Sequence, residues 1–288
     1  MFVYDLCGLC VRSEIKIPSF LRHSDFSAPT DISIKLSFDF PKLTFPDDKI
    51  IFESDKVYYE CQKNIIACIT NDSDILVFIN NKDDIEDLYK YIISIPIGYA
   101  LANKGYSVLH GGAISFNDKS ACIVGFSGQG KSTMTLSLLG KGFKFITDDL
   151  VVIKNDKIIS LNPWIKTNKR TIDNLKIDYL DQIKLYKDHR QRSLFKIPEE
   201  NCLNDSFVKV FYFPVKGEKK SIKKMKKNDA FKFLFTNFYR FYNDQANDLN
   251  KISEILEKSS FYLFERNIND PIEENADYLS EHIKLHLK

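Results

Sequence analysis

The residues of this chain whose types and spacing could do chemistry are concentrated between Val124 and Thr133, where the sequence reads V-G-F-S-G-Q-G-K-S-T. This segment fits the pattern G-x-x-x-x-G-K-[ST], in which glycines let the backbone turn successive N–H groups toward a phosphate chain. The lysine can reach the β- and γ-phosphates, and the next hydroxyl can bind Mg²⁺. We therefore expect the chain to bind a nucleoside triphosphate with Mg²⁺. The expected nucleotide contacts are Gly125, Ser127, Gly128, Gln129, Gly130, Lys131, Ser132 and Thr133.

Two adjacent carboxylates, Asp148 and Asp149, follow a short predicted strand, and His110 lies on another predicted strand before the glycine-rich segment. Side chains alternate along a strand, so the two carboxylates are expected to point in different directions, one toward a metal and one toward a nucleophile. Taken alone, the histidine is equally compatible with a structural role, and the aspartates with a solvated strand end. Their occurrence beside a predicted phosphate loop favours catalysis.

The elements around these residues are those that a phosphate site requires. An apolar run, Ala121 to Val124, predicts a strand before the loop, and Thr133 to Leu139 predicts a helix after it. A bound anion would then lie at the N-terminus of a helix, where free N–H groups and the helix dipole favour negative charge. The alternative is a glycine-rich turn between a strand and a helix that binds no ligand.

The combination of His110-Gly111, the glycine-rich segment, Gly142-Phe143 and Asp148-Asp149 resembles the catalytic core of the HPr kinase/phosphorylase family. The resemblance implies an α/β (α+β) fold of the HPr-kinase/phosphoenolpyruvate-carboxykinase type, with a P-loop-containing core, a mixed sheet and a β-rich N-terminal domain. The N-terminal segment from Tyr4 to Ile15 is similar to the opening of HPr-kinase-related proteins found with lasso-peptide and other ribosomal-peptide gene clusters. Some members of that group phosphorylate a serine of the precursor peptide.

That resemblance implies an ATP-dependent kinase that transfers the γ-phosphoryl group to a serine or threonine hydroxyl, with a precursor peptide as one candidate acceptor. Asp148 would take the proton from the acceptor, while Ser132 and Asp149 would hold Mg²⁺; the two aspartates could exchange roles. His110 would lie near the γ-phosphate or the metal, and Lys131 would neutralise phosphate charge. The alternatives are a kinase of a small hydroxylated metabolite and a non-catalytic, nucleotide-gated regulatory module.

Composition limits the class of protein. With 288 residues and 44% hydrophobic content, the chain can bury a sizeable core, and its net charge of +2 argues against an electrostatic nucleic-acid binder. No apolar run approaches the length that spans a membrane, and Asp5, Arg12 and Glu14 interrupt any signal-peptide pattern. Of six cysteines, only Cys7 and Cys10 have C-x-x-C spacing. These features predict a cytoplasmic protein that binds neither nucleic acid nor a membrane, and the resemblance implies a nucleotide and a peptide or small protein as its partners.

The pattern along the chain predicts two domains, the first a β-rich N-terminal domain over residues 1–83. The second, over residues 84–288, is by the resemblance an HPr-kinase-like ATP-binding catalytic domain. The first domain opens on a predicted strand from Phe2 to Val11. The second begins with a predicted helix over residues 84–103 that is capped by aspartates and divided by a proline, and it ends with a helix over 272–287. A further aromatic-rich helix is predicted over 230–242.

Several basic residues after the aspartates could contact phosphate, or could simply be solvated. They are Lys166, Lys169 and Arg170, followed by Arg190 and Arg192.

A denser basic segment, residues 216–227, contains seven lysines and one glutamate. Such runs are often solvated faces, and the functional alternative is a dock for an acidic peptide or protein surface.

Overall fold

A computed structural model of the chain describes residues 1–22, 25, 27–81, 85, 88–177, 180–183, 192–240 and 245–288. Over these residues the protein is a mixed α/β structure. Its strands are β1 (Phe2–Leu6), β2 (Leu9–Ser13), β3 (Leu21–Arg22), β4 (Ile32–Ser37), β5 (Ile50–Phe52), β6 (Lys56–Gln62), β7 (Ile65–Thr70), β8 (Ile75–Ile79), β9 (Ser107–Phe116), β10 (Lys119–Val124), β11 (Lys144–Thr147), β12 (Leu150–Lys154), β13 (Lys157–Ile159), β14 (Trp164–Thr167), β15 (Asp181–Ile183), β16 (Ser193–Lys196), β17 (Asp205–Gly217), β18 (Ser221–Lys224) and β19 (Ser260–Asn267). Its helices are α1 (Tyr89–Ile92), α2 (Ile95–Asn103), α3 (Lys131–Leu139), α4 (Lys169–Asn174), α5 (Lys227–Asn237), α6 (Gln245–Lys258) and α7 (Ile272–Leu287).

The chain divides into two compact units, Met1–Val108 with Tyr239–Leu249, and Leu109–Phe238 with Asn250–Lys288. The boundary predicted after residue 83 therefore lies inside the first unit, which continues through α1 and α2. The physical reason is that α2 packs against β7 and buries its apolar residues there.

The first unit contains an eight-stranded mixed sheet with the order β3-β1-β2-β4-β8-β7-β6-β5. Strand β4 runs parallel to both of its neighbours, and all other neighbouring strands pair antiparallel. The single strand predicted from Phe2 to Val11 is wrong. The chain instead reverses at Cys7 and Gly8, both of which have positive φ (57° and 80°), and the two halves pair as β1 and β2.

The second unit contains a mixed sheet with the order β10-β9-β12-β13-β17-β19-β18, to which β11 adds by pairing with β9. Strand β10 also pairs with β17, so five of these strands form a closed ring. Strands β10, β17 and β19 run parallel, and their carboxyl ends therefore lie at one edge of the sheet.

Alternate residues of the central strands supply two separate cores, as the two-residue period of a strand requires. Ala121 and Ile123 of β10 belong to one core, with apolar side chains of α3 and α7. Cys122 and Val124 belong to the other, with apolar side chains of α5 and α6. Both faces of β10 are thus fixed by packing, which holds the loop that follows it.

The predicted helix boundaries agree with the structure in part. The helix over 272–287 is confirmed as α7. The predicted division by proline is also found, because Pro96 lies in the first turn of α2, where its missing N–H has no helical partner to lose. The capping aspartates predicted at 83 and 84 lie outside the described residues.

The predicted helix over 230–242 is shorter than expected. It ends as α5 at Asn237, because Phe238 is extended (φ −86°, ψ 132°) and bridges to Leu109.

A small antiparallel sheet, β14-β16-β15, follows the aspartates in the chain. Its strand β14 ends with Lys166 and Thr167, both buried. Among the described residues, no helix combines the length and the apolar content that crossing a bilayer requires.

Candidate functional site

The glycine-rich loop connects β10 to α3 and has the backbone geometry of a cradle. Gly128 and Gly130 have φ values of 85° and 82°, and a side chain at Gly128 would meet open space. Gly130 is the N-cap residue of α3 and provides no side-chain cap, and the first turn carries no acidic residue. Uncapped N–H groups at a helix N-terminus attract anions, so the loop and α3 together are suited to hold one.

A cavity of about 230 Å³ lies beside this loop. Charged and polar side chains from the loop, α3, β9 and the segment around β14 supply most of its lining. The lining residues are His110, Ser127, Gly128, Gly130, Lys131, Ser132, Thr133, Asp149, Lys166, Thr167, Asn168 and Arg192. Most of the site residues predicted from sequence are therefore brought together, while Gly125, Gln129 and Asp148 lie outside this lining.

The first two residues of α3 are already engaged within the protein. Lys131 is only 7% exposed, and its Nζ donates to the carbonyl oxygen of Phe126 at 3.0 Å. The Ser132 hydroxyl donates to Oδ1 of Asp148 at 2.9 Å. Ser132, the predicted metal ligand, is thus hydrogen-bonded to Asp148, whereas the sequence analysis expected it to share the metal with Asp149.

The two aspartates form a tight turn between β11 and β12. The expectation that strand alternation separates their side chains is wrong, because Asp149 has a positive φ of 67° and the N–H of Leu150 donates to the carbonyl oxygen of Asp148 at 2.9 Å. The separation comes from this turn. Asp148 accepts the backbone N–H of Lys166 on Oδ2 at 3.3 Å, whereas Asp149 forms an ion pair with Lys166 Nζ at 2.8 Å.

The electrostatic environments of the two carboxylates differ. Burial, and then the neighbouring charge of Asp149, raise the pKa of Asp148 to about 7. Burial alone would also raise the pKa of Asp149, but the opposite charge of Lys166, and then that of His110 when it is protonated in acid, outweigh burial and leave the pKa lowered. Two adjacent carboxylates in a buried turn do not both ionise easily, and Lys166 stabilises the charge on Asp149.

His110 lies on β9, and its Nδ1 donates to the carbonyl oxygen of Asp149 at 3.0 Å. The N–H of Gly111 donates to the same oxygen at 3.2 Å. Burial, and then the charge of Lys131, lower the pKa of His110 to about 4. The imidazole is therefore neutral near pH 7, with Nδ1 protonated and the lone pair on Nε2.

A glycine pair on β9 allows the aspartates to approach that strand. A Cβ at Gly112 would overlap the Thr135 hydroxyl and lie 3.3 Å from Oδ1 of Asp148. A Cβ at Gly111 would lie 2.6 Å from the carbonyl oxygen of Ile123. The close approach of β9, β10 and α3 thus depends on two missing side chains, a requirement that the sequence analysis did not identify.

Of the basic residues after the aspartates, the structure places Lys166 in the site and Lys169 and Arg170 on the surface. The reason is local. Lys166 is the third residue of the buried strand β14, whereas the other two begin α4, where Asn168 accepts the N–H of Thr171 at 2.8 Å. Arg192 lines the cavity, and Arg190 lies outside the described residues.

Arg266 of β19 contacts the glycine-rich loop, and the sequence analysis did not identify it. Its Nε donates to the carbonyl oxygen of Gln129 at 3.1 Å. Its guanidinium carbon lies 3.1 Å from the position that a Cβ would take on Gly130. The sequence offers no signal for this contact, because 136 residues separate Gly130 from Arg266 and β19 itself was not predicted.

The donors available for a cation are few. Within the described residues, no group of three or more His, Cys, Asp and Glu side chains is arranged to hold a metal. Ser132, Asp148 and Asp149 supply hard oxygen donors, and Mg²⁺ in phosphate sites commonly takes only one or two protein carboxylates, with phosphate and water completing its coordination. The residues present therefore fit a Mg²⁺ that arrives with a nucleotide.

Comparison with known proteins gives distant structural similarity only. No family model matches the sequence, and no curated protein matches it. Among solved structures, the chain is similar to the HPr(Ser) kinase/phosphatase from Coxiella burnetii, with 13% identity over 62% of this chain and 97% of that chain, at a TM-score of 0.35. A similarity this distant does not transfer that protein's fold or activity. The association with ribosomal-peptide clusters rests on the sequence resemblance alone.

Proposed function

We propose that this protein is an ATP-dependent phosphotransferase that transfers the γ-phosphoryl group to a hydroxyl of the serine or threonine type. The observation that carries the proposal is the convergence of three features on one cavity. These are the uncapped N-terminus of α3 behind a glycine loop, the buried Lys131, and the Asp149–Lys166 ion pair. Phosphoryl transfer depends chiefly on positioning and on charge neutralisation, and this arrangement supplies both.

The nucleotide phosphates would be held by the loop N–H groups, Lys131 and Lys166. Ser132 and Asp148 would hold Mg²⁺, since the Ser132 hydroxyl lines the cavity and already donates to Oδ1 of Asp148 behind it. When bound, the metal supplies neutralisation of phosphate charge. Asp148 would bind the metal only after losing its proton, and because its pKa is raised to about 7, Mg²⁺ affinity should increase as the pH rises through neutrality.

The geometry favours exchanging the roles that the sequence gave to the two aspartates. Asp149 lines the cavity, whereas Asp148 does not, and Asp149 is ionised beside Lys166. In our proposal Asp149 accepts the hydrogen bond of the acceptor hydroxyl and takes its proton late in the transfer. Neutral His110 holds the Asp149 turn through its Nδ1–H.

The nucleotide-gated module is the second candidate function, and the same residues argue against it. A site that only binds Mg²⁺ and triphosphate can use one carboxylate as a metal ligand, the role proposed here for Asp148, but a second ionised carboxylate on the cavity wall repels the phosphates. A carboxylate there is useful when a hydroxyl must approach. A small hydroxylated metabolite and a peptide both supply such a hydroxyl, so the acceptor is decided by experiment.

The test is a phosphotransfer assay with γ-labelled ATP and Mg²⁺, in which candidate peptides, proteins and metabolites are followed by mass spectrometry. We expect Lys131→Ala to weaken nucleotide binding and Asp149→Asn to lower turnover by about 10³-fold while retaining binding. For Asp148→Asn we expect the half-saturating Mg²⁺ concentration to rise about 10-fold. If Asp149→Asn changes the Mg²⁺ dependence instead, Asp149 is the metal ligand and Asp148 the base, as the sequence analysis expected. Tight ATP binding without transfer to any acceptor would favour the gated module.

A further inference from the structure

The segment Lys216 to Lys227, called here the lysine hairpin, runs from the end of β17 through β18 to the first residue of α5. Its two strands do not pair with each other, because β19 lies between them. Seven of its residues are lysines and only Glu218 is acidic, although the whole chain carries a net charge of only +2. Six of the seven are exposed. The exposed lysines are Lys216, Lys219, Lys223, Lys224, Lys226 and Lys227.

The seventh lysine shows how the hairpin is anchored. Lys220 forms ion pairs with Asp270 and Glu274, both at 3.0 Å. Across the described part of the chain, the six exposed lysines form no ion pair. One lysine therefore holds the hairpin in place, and the other six present their positive charge to solvent. Such uncompensated positive charge attracts a partner of negative charge.

The base of the hairpin lies at the same edge of the sheet as the glycine loop. The loop follows β10, which runs parallel to β17, and β17 runs parallel to β19. Lys216 stands opposite Arg266 in that pairing, and Arg266 donates to the carbonyl oxygen of Gln129 in the loop. Since neighbouring strands are about 4.8 Å apart, a few residues of an extended chain would span from β18 to the loop.

Strand β18 is also the outermost strand on one side of the sheet, and among the described residues it pairs only with β19. Its outer backbone groups are thus available to an added strand, and its exposed lysines stand next to them. Main-chain hydrogen bonds to an edge strand supply affinity for an extended peptide, while the flanking side chains supply selectivity. The hairpin contains no aromatic residue on which bases could stack, which favours a peptide over a single-stranded nucleic acid.

We propose that the lysine hairpin is the docking surface for an acidic segment of the peptide or protein that receives the phosphoryl group. The inference rests on the proposed phosphotransfer and names its acceptor class. The acidic segment lies along β18, a few residues from the serine or threonine that enters the cavity. The competing explanation is that the edge lysines only prevent sheets of two molecules from pairing.

The binding test uses fluorescein-labelled peptides with one serine and a block of glutamates, compared with the same peptides carrying glutamines. Anisotropy is measured with the full chain at low and high salt. We expect the glutamate peptide to bind at least about 10-fold more tightly at low salt, and to lose most of this advantage when salt screens the charges. Equal binding of both peptides, or equal binding of an oligonucleotide of the same charge, would overturn the proposal.

The variant test compares two charge reversals at exposed lysines. Lys223→Glu/Lys224→Glu changes the hairpin, while Lys154→Glu/Lys209→Glu changes two exposed lysines outside it, one at the end of β12 and one in the first half of β17. We expect only the first pair to weaken glutamate-peptide binding and to raise its KM, by about 10-fold, with unchanged ATP affinity. If the first pair instead leaves peptide binding intact and promotes self-association, the lysines serve only to protect the edge.

The two readouts separate this inference from the proposed function. If serine peptides are phosphorylated equally well with and without glutamates, and the hairpin variants do not change this, the proposed kinase activity is supported and the docking surface is contradicted. If the glutamate peptide binds through the hairpin but no phosphoryl group is transferred, the hairpin is supported as a binding surface. The proposed kinase activity, and with it the acceptor role of the docked segment, is then contradicted.

Discussion

At the scale of single residues, Lys166 gives two chemically identical aspartates different properties. Its ammonium group pairs with Asp149, and its backbone N–H donates to Asp148. Because the side chain is nearly buried, this ion pair is screened less than a surface pair and contributes more to the ionisation of Asp149. One lysine therefore keeps one carboxylate charged while its neighbour has a pKa raised to about 7.

The first prediction concerns this lysine. In Lys166→Met, we expect nucleotide affinity to fall about 10-fold and phosphotransfer about 10²-fold, because the phosphates and Asp149 both lose a buried positive charge. The pKa of Asp149 should also rise, so the acidic limb of the pH–rate profile moves to higher pH. Isothermal titration and the pH–rate profile measure these effects.

The matched control is Lys169→Met, which removes an exposed lysine three residues away. It should change both quantities less than 2-fold. If the two variants behave alike, Lys166 acts only through the general positive potential of the surface.

At the scale of elements, the site depends on how closely β9 approaches β10 and α3. Gly111 and Gly112 leave no room for a Cβ, and the space they vacate is used by a strand carbonyl and by the Thr135 hydroxyl. The carboxylate of Asp148 lies against the same surface, so the spacing of these elements also determines the position of the predicted metal ligand.

For Gly112→Ala we expect a loss of about 1–3 kcal/mol in the free energy of unfolding, because overpacking displaces α3 or Thr135 from β9. Nucleotide affinity should fall as well, since α3 carries Lys131. The control is Gly140→Ala, at a helical φ of −67° with only ordinary contacts, which should be neutral or slightly stabilising. Denaturant unfolding measures the change in stability, and nucleotide titration measures the change in affinity. Equal stability of the two variants would contradict the close approach of β9 to α3.

Helix α7 provides a pH-dependent contact with the same sheet. His282 Nδ1 lies 2.8 Å from the Tyr212 hydroxyl, and its ring stacks on His286 with centroids 4.2 Å apart and meets the edge of Tyr262. Burial, and then His286, lower the pKa of His282 from 6.5 to about 4. The unfolded chain therefore takes up this proton near pH 6.5, while the folded chain resists it until about pH 4.

We predict that this histidine makes the protein less stable as the pH falls from 6.5 to 4, by about 1 kcal/mol after allowance for solvent screening. Thermal unfolding of His282→Gln should therefore depend less steeply on pH over this range than unfolding of the native sequence. His286→Gln, which changes the exposed neighbour, should have the smaller effect. An unchanged slope in His282→Gln would mean that other groups govern acid unfolding.

At the scale of the whole molecule, the units are not continuous in sequence. The segment Tyr239–Leu249 joins the N-terminal unit, and the chain then returns to the second unit at Asn250. Within the first unit, the N–H of Tyr239 donates to the carbonyl oxygen of Val108 at 2.9 Å, and its ring meets the edge of Tyr99. A cut at any single position before residue 239 therefore cannot separate the two units.

A fragment of residues 84–288, which follows the boundary expected from sequence, tests this organisation. It removes β1 to β8 and exposes the face of α2 that packs against β7, and it leaves the buried Tyr99 without the ring of Phe52. We expect the fragment to bind a hydrophobic dye and to aggregate, because it exposes a large apolar patch. A monomeric fragment with a cooperative unfolding transition would contradict the division into these units.

The sequence by itself determined the features that depend on a few neighbouring residues. The glycine loop between a strand and a helix, the terminal helix α7 and the proline in the first turn of α2 all follow from local spacing and backbone preference. Only the tertiary structure decided which aspartate accepts the Ser132 hydroxyl, that Lys166 rather than Lys169 reaches Asp149, and that Arg266 supports Gln129. The physical reason is that these contacts join segments far apart in the chain. Their geometry is set by strand order and close packing, which no local pattern encodes.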